Sequence, residues 1–280
     1  LGDVYKRQAP IEAAFQTKTG KLENVSNITD FLYEVAEGDA DSIKAANAKL
    51  TSEDKAAIKG YDEMVEDLLT TKVDNEQALR GALDNAVAGD IIALEGDIDL
   101  SSPLVINTSV TINGNGNTIS VSDSFSSGDM ITVYADDTTI QNVIIDGENK
   151  SNYGIQFYKA ANGRLENVTA KNNTKSGINV NASTVTAVGT IDLSGNGKNS
   201  INVGFGKNIS SALGASLDVT NATLVGVDFI YADAGDVQRA GAANVAITVT
   251  DGNNTFVAVG DNILPPVYFV PESTVKDLSL

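Results

Sequence analysis

Lysine and arginine side chains concentrate in the middle of this 280-residue chain, and their spacing favours a site for an anionic ligand. Residues 150–207 contain seven basic and two acidic residues, a net charge of +5 within a chain of formal net charge −18. Clustered charge of one sign attracts ligands of the opposite sign. The seven are Lys150, Lys159, Arg164, Lys171, Lys175, Lys198 and Lys207. The alternative is that these residues keep a sheet soluble and deter edge pairing.

Two tyrosines accompany these cations and suggest which anion would bind. Phe157 is expected on the buried face of its strand, and Tyr153 and Tyr158 are expected to be the outward pair of that rung. Amphipathic rings of this kind can stack on sugars, so an acidic polysaccharide or cell-wall glycan is the expected partner. Nucleic acid is excluded, because the acidic remainder of the surface would repel a phosphate backbone. The carbohydrate-binding candidates are Tyr153, Tyr158, Lys159, Lys171, Lys175 and Lys198.

Missing residue types exclude several kinds of catalysis. The chain has no His and no Cys, so it cannot build a Ser-His-Asp or Cys-His triad, a His-based zinc site or a disulfide. It also has no run of about 18 apolar residues, so we expect no membrane span.

A repeat of fixed period predicts the elements that must position these side chains. Leu165, Val168 and Ile178 recur one period later as Val188, Ile191 and Ile201, and Lys175 recurs as Lys198. Ile140 precedes Leu165 by a slightly longer offset, as an insertion in a turn would cause. Fixed-period self-similarity is typical of a solenoid, in which each repeat stacks on its neighbour.

The repeat also predicts which residues meet. Leu165 should stack on Val188, and Ile178 should stack on Ile201. Lys175 and Lys198 should then lie about 4.8 Å apart along the coil axis.

Asparagine clusters fall in the predicted turns between these strands. They are Asn113, Asn115 and Asn117, Asn172 and Asn173, Asn196, and Asn253 and Asn254. Asn tolerates left-handed backbone conformations, and stacked Asn side chains can hydrogen-bond from one rung of a coil to the next. We therefore expect these clusters to be structural.

The stretch from Glu76 to Ser120 adds a resemblance to a known family. An amphipathic helix over residues 76–87 is followed by GDIIAL and then by TINGNG. This order resembles the opening of right-handed parallel β-helix proteins of the pectate-lyase-like superfamily. The resemblance implies an all-β solenoid, a single-stranded right-handed parallel β-helix with an α-helical N-terminal region and a capping helix. We expect Leu79 and Leu83 of that helix to cover Ile91 and Leu94 of the first rung.

The same resemblance leaves two functions open. Lyases of this fold pair acidic Ca²⁺ ligands with an Arg or Lys base that removes a proton from a uronate. Here Asp136, Asp137 and Asp146 are the candidate Ca²⁺ ligands, and Arg164, Lys171 and Lys175 are the candidate bases. The middle rungs have short turns and no long loops to form a cleft, which favours a non-catalytic, adhesin-like binding or spacer module. That reading needs no cofactor, and Ca²⁺ belongs to the lyase alternative.

Composition divides the chain into regions. Residues 1–8 resemble translated adapter sequence, so we treat them as non-native and expect the native protein to extend further. Residues 9–73 form a helical module, and residues 74–280 form the β-helix, with its clearest rungs over 89–204 and less regular ones over 205–280.

Residues 47–69 resemble the small helical spacer modules of Gram-positive surface proteins. The alternative is a helical bundle that packs on the N-terminal end of the coil. Within this segment, the spacing of Thr51 and Asp54 predicts a helix N-cap. We expect a monomeric bacterial protein at the cell surface or outside the cell.

Overall fold

The computed structural model describes residues 25–38, 40–198, 200–227, 230–259 and 269–271. Residues 1–8, which we treat as non-native, lie outside these ranges. So do residues 272–280, the end of the segment expected to form less regular rungs. Two compact units divide the chain, Leu1–Thr70 and Thr71–Leu280.

The first unit is helical and has its own apolar core. Its helices are α1 (Val25–Glu37), α2 (Ala40–Asn47), α3 (Ser52–Ala57) and α4 (Tyr61–Leu69). The core is formed by Ile28, Phe31, Leu32, Val35, Ile43, Ala46, Leu50, Ile58 and Leu69. The predicted N-cap of α3 is confirmed, because Thr51 accepts from the Asp54 backbone and Asp54 accepts in return from the Thr51 backbone.

Eighteen strands and two further helices follow among the described residues. The strands are β1 (Thr70–Val73), β2 (Asp90–Leu94), β3 (Ile98–Leu100), β4 (Leu104–Ile106), β5 (Val110–Asn113), β6 (Thr118–Val121), β7 (Ile131–Val133), β8 (Thr139–Asp146), β9 (Tyr153–Tyr158), β10 (Gly163–Lys171), β11 (Ser176–Asn181), β12 (Thr184–Asp192), β13 (Ile201–Gly204), β14 (Ala215–Val225), β15 (Ile230–Tyr231), β16 (Ile247–Asp251), β17 (Asn254–Ala258) and β18 (Phe269–Pro271). The helices are α5 (Glu76–Asp84) and α6 (Ala234–Ala242).

The strands form two sheets, and the chain alternates between them as it coils. Sheet A follows the order β1-β2-β5-β8-β10-β12-β14-β16-β17-β18, with β3 and β6 alongside, and sheet B follows β15-β13-β11-β9-β7-β4. The pairings from β2 to β16 are parallel, whereas β16, β17 and β18 pair antiparallel. The prediction of a parallel β-solenoid with few helices is confirmed.

Stacked apolar side chains fill the interior of the coil at the predicted period. Ile155, Ile178 and Ile201 align in consecutive strands of sheet B, and each is at most 1% exposed. In sheet A, Ile140 aligns with Leu165, as the longer offset of that rung predicts. Each rung therefore buries its apolar positions between the equivalent positions of two neighbours.

One predicted pair is wrong, and a bulge explains why. Leu165 aligns with Ala187 rather than with Val188, whereas Val168 aligns with Ile191 as predicted. β12 gains one residue between these two pairs, and Gly189 there has a left-handed φ of 67°. The inward position therefore moves to Ala187, which is 2% exposed.

Asparagines in the turns have the structural role predicted for them. Among those predicted, Asn115 and Asn172 have left-handed backbone conformations, with φ of 52° and 54°. Asn173 is fully buried, and its Nδ2 donates to Asn196 Oδ1 of the next rung at 2.9 Å. These residues support turns and connect rungs.

Helix α5 covers the first rung of the solenoid. Asn75 caps it by accepting from the Ala78 backbone at 2.9 Å. Leu79 is fully buried in the solenoid core with Leu94, and Leu83 packs against the same core, as predicted. The prediction of Ile91 is wrong, because strand alternation turns Ile92 inward instead. The helix also ends at Asp84, earlier than the predicted range of 76–87.

Candidate functional site

The outer face of sheet B carries a continuous column of side chains along the solenoid axis. Strand pairing aligns Val105, Thr132, Gln156, Asn179, Asn202 and Tyr231 in consecutive rungs. On either side of Gln156, Ile155 and Phe157 are fully buried, so the column faces away from the core. We call these six residues the axial column.

Hydrogen bonds join the middle of the axial column into a ladder of amides. Asn202 Nδ2 donates to Asn179 Oδ1 at 2.7 Å, and Asn179 Nδ2 donates to Gln156 Oε1 at 2.6 Å. Gln156 Nε2 then donates to Asp129 Oδ2 at 2.7 Å. All three bonds point the same way, because the ionised carboxylate at the end can only accept. Each amide is therefore held in one orientation by its neighbours.

A lysine lies over a tyrosine ring at each end of β9. Lys175 Nζ is 5.1 Å from the centre of the Tyr153 ring, and Lys159 Nζ is 5.3 Å from the centre of the Tyr158 ring. These distances allow cation–π attraction. Tyr153 and Tyr158 are the first and last residues of β9, which places them about 16 Å apart with Gln156 between them. The axial column is thus flanked by two Lys–Tyr pairs.

Each Lys–Tyr pair lies next to a residue of a neighbouring rung. Tyr134 is 48% exposed, and its ring meets the Tyr158 ring edge-on with centres 5.5 Å apart. On the other side, the Lys198 backbone donates to the Lys175 carbonyl at 2.9 Å. The predicted stacking of these two lysines on consecutive rungs is therefore confirmed for the main chain.

Burial makes negative charge unfavourable beside the axial column. Desolvation raises the pKa of Asp129, although the positive charge of Lys175 opposes this. Desolvation likewise raises the pKa of Asp236, against the opposing charge of Arg239. Burial, together with the charges of Asp129 and Asp236, raises the pKa of Tyr153 to about 12. Both carboxyl groups therefore take up protons at a higher pH than ordinary aspartates do.

Helix α6 lies against the C-terminal end of this face. Arg239 Nε donates to the Phe205 carbonyl at 3.0 Å, and Arg239 also pairs with Asp236. A Cβ atom on Gly204 would clash with Asp236 Oδ2, so the absence of a side chain there leaves room for the carboxylate. The axial column is consequently bounded at this end by α6.

The segment predicted to be basic is partly neutralised by acids that the coil brings to it. The ion pairs are Arg164–Glu166 at 2.7 Å, Lys171–Asp146 at 3.3 Å, Lys150–Asp123 at 3.1 Å and Lys150–Glu148 at 3.3 Å. Three of these four acids lie outside residues 150–207, so the sequence count of +5 overstates the local charge. Lys171 also ends β10 in sheet A, whereas the five other carbohydrate-binding candidates lie in or near strands of sheet B.

The candidate residues for a lyase are not brought together into one site. Asp136 and Asp137 precede β8 whereas Asp146 ends it, which separates them by roughly 25 Å. Arg164 and Lys171 similarly lie near opposite ends of β10. Asp136 accepts from the Ala161 backbone and Asp137 from Asn162 Nδ2, so both stabilise turns.

Asp146 and Lys171 do meet, in the ion pair described above. Burial would raise the pKa of Asp146, but hydrogen bonds from Asn172, the Glu148 backbone and Lys171 lower it overall. Within the described ranges, no three His, Cys, Asp or Glu residues are grouped as a metal ion would require.

Comparison with known proteins places this architecture in context. Residues 70–182 match the family model described as "Putative pectate lyase-like adhesive domain". This match covers less than half of the chain, and together with the stacked parallel strands it supports a pectate-lyase-like parallel β-helix. The match runs from β1 through β11, and so includes both Lys–Tyr pairs but stops before Lys198 and Asn202. Searches of curated proteins and of solved structures return no match.

The family description fits an adhesin-like β-helix module. In the part of the chain that the structure describes, no helix is long and apolar enough to cross a membrane.

Sequence reasoning missed the amide ladder and the acids beside it. Gln156, Asp129 and Tyr134 carry no motif, and Asp129 meets Gln156 only because the rungs stack. The signal for Asn179 and Asn202 was present, since they are one period apart like the apolar positions around them. Asn179 and Asn202 lie in the middle of strands, and this position could have distinguished them from the asparagines in the turns.

Proposed function

We propose that this β-helix is a non-catalytic, adhesin-like module that binds an acidic polysaccharide on the outer face of sheet B. The observation that carries this proposal is the pair of Lys–Tyr contacts on either side of the axial column. We further propose that the module acts at the cell surface or outside the cell, as expected of an adhesive domain.

The chemistry of the two pairs suits a uronate-type polymer. Each lysine supplies a positive charge for a carboxylate, and each tyrosine presents a ring to which an apolar sugar face can pack. Lys175 already contacts Tyr153, so little side-chain freedom is lost when a ligand binds. Lys198 adds a second charge one rung further along the same side.

Ion pairing supports binding over cleavage. Of the three candidate bases of a lyase, Arg164 and Lys171 each contact a carboxylate, which favours a structural role for both. Lys175 lies beside the axial column, whereas the candidate Ca²⁺ ligands precede or end β8 in sheet A.

The test compares two double variants, each of which removes two positive charges from a different part of the coil. Lys175→Gln/Lys198→Gln removes two charges beside the axial column, and Arg164→Gln/Lys171→Gln removes two from sheet A. Binding to polygalacturonate, alginate and chondroitin is measured by calorimetry at low salt and at 0.5 M salt, where the Debye length falls to roughly 4 Å. We expect the first variant to lose about 1.4 kcal/mol, or about tenfold in affinity, and the second to bind like the wild type.

Two results would contradict the proposal. Equal losses in both variants would show that overall charge, rather than this face, governs binding. Release of unsaturated uronates, seen as new ultraviolet absorbance when Ca²⁺ is present, would establish the lyase instead.

A further inference from the structure

The amide ladder consists of residue types that its own backbone does not require. Asn is depleted in strands, yet Asn179 and Asn202 lie inside β11 and β13. None of the three amide residues has the left-handed φ that accounts for turn asparagines such as Asn115 and Asn172. A β-branched residue would suit the strand positions better, although the hydrogen bonds between the amides also stabilise the stacking of the rungs.

The ladder also leaves hydrogen-bonding capacity unused. A side-chain amide has two N–H donors and an oxygen with two lone pairs. Gln156 and Asn179 each use one donor and one lone pair within the ladder, and Asn202 uses one donor. Among the described residues, no further group hydrogen-bonds to these side chains. Each therefore keeps one donor and at least one lone pair in a fixed orientation.

We propose that Gln156 and Asn202 bind hydroxyl groups of an extended glycan that runs along the solenoid axis. This inference rests on the proposed function and extends it, because it assigns the uncharged part of the ligand to the axial column. An amide that offers one donor and one acceptor matches a pair of neighbouring sugar hydroxyls, each of which can donate and accept. The Lys–Tyr pairs then contact the carboxylates and ring faces on either side.

Burial separates the roles of the three amides. Gln156 and Asn202 are half-buried, so a ligand can reach them, whereas Asn179 is only 3% exposed. Asn179 contacts both of the others through hydrogen bonds, so we assign it as a positioning residue. Amides already fixed by their neighbours lose little freedom when a ligand binds.

The spacing of the two exposed amides indicates the kind of polymer. Gln156 and Asn202 are two rungs apart, about 9.6 Å along the axis. In an extended glycan with twofold character, every second sugar presents the same edge to a surface. The geometry points to a chain whose disaccharide repeat matches two rungs of the coil.

The experiment uses each acidic polymer in two forms, native and carboxyl-reduced. Reduction removes the charge that the lysines would bind but keeps the hydroxyl groups and the backbone of the glycan. The variants are Gln156→Val and Asn202→Val, with Gln141→Val as the matched control. Gln141 is a half-buried residue of β8 in sheet A, next to the buried Ile140. Melting temperatures show whether each variant is folded.

We expect the wild type to bind the reduced form of its preferred polymer with little dependence on salt. Gln156→Val and Asn202→Val should each weaken that binding about tenfold while the protein remains folded, although each leaves a hydrogen-bonding atom of Asn179 unpaired and so lowers the melting temperature somewhat. Gln141→Val should leave binding unchanged. Asn179→Val should also weaken it, while the salt dependence of binding to the native polymer stays the same. A purely structural role for Asn179 would change stability and leave affinity for the reduced polymer intact.

The outcomes distinguish this inference from the proposed function. The hydroxyl-binding role is wrong if the native polymer binds but the reduced form does not. It is also wrong if the valine variants bind the reduced form normally. In both cases the charge-based proposal stands. If only the reduced form binds, the axial column is a glycan site and the acidic-polymer proposal is wrong. If neither form of any polymer binds, both are refuted.

Discussion

Replacing Ile178 tests the stacked core on which every position of the axial column depends. Ile178 is 1% exposed and lies between Ile155 and Ile201 of the neighbouring rungs. Ile178→Ala removes three carbon atoms, worth about 2.4 kcal/mol at about 0.8 kcal/mol each. The cavity adds about 1.5 kcal/mol, because the rungs above and below are fixed by their own hydrogen bonds and cannot collapse into it. We expect a total loss of about 4 kcal/mol in the free energy of unfolding.

A graded series measured by urea unfolding makes this prediction specific. Ile178→Val should cost about 1 kcal/mol, and Ile178→Asp should prevent folding of the solenoid, because it would bury an unpaired charge between two isoleucines. The control is Val105→Ala at the end of the axial column, where Val105 is 41% exposed and a change of less than about 0.5 kcal/mol is expected. An Ile178→Asp protein that unfolds at the wild-type urea concentration would refute the stacked register.

Three further predictions concern the N-terminal end of the coil, a glycine in a strand and a partly buried aspartate. In light scattering, a fragment of residues 71–280 should be monomeric and a fragment of residues 89–280 should aggregate, because only the longer fragment retains Leu79 over the first rung. A soluble 89–280 fragment would refute capping by α5. Gly177→Ala in β11 should strongly lower the melting temperature, since its Cβ would lie 2.5 Å from the main-chain carbonyl oxygen of Ala170. An unchanged value would show that the strand can move. Burial raises the pKa of Asp129 above 3.8, so its contribution to stability is present below pH 3.8 and lost as pH rises through the folded pKa. Asp129→Asn should therefore stabilise the protein at pH 7 but not at pH 3.5 in urea unfolding, and an equal effect at both would exclude titration of this group.

The fold could be predicted because the repeat records the stacking directly. A coil with a constant rung length brings residues one period apart into contact, so Ile178 and Ile201 could be paired by counting. The Leu165–Val188 pair failed because a bulge adds one residue to β12, and a residue inserted inside a strand changes which side chains face inward. Gly189 marks the bulge, but a single glycine in a strand does not specify on which side of it the register shifts.

The charge of the site was harder to predict, because stacking mixes distant parts of the sequence. Counting within residues 150–207 ignored Asp123 and Asp146, which lie one rung before their basic partners, Lys150 and Lys171. A window along the sequence therefore describes a solenoid surface poorly. Adding the charges at offsets of one rung would have paired Lys150 with Asp123 and Lys171 with Asp146.

The same reasoning by offsets separates the two kinds of asparagine in this chain. Asn173 and Asn196 are one rung apart and stack in turns, where they bind backbone groups as well as each other. Asn179 and Asn202 are also one rung apart, but they lie in strands, and their side-chain hydrogen bonds go to side chains of the ladder. Stabilising a turn explains the first pair and cannot explain the second. If the proposed glycan contacts are found, an asparagine repeated in the middle of outward-facing strands would be the sequence feature that marks such a ladder in this coil.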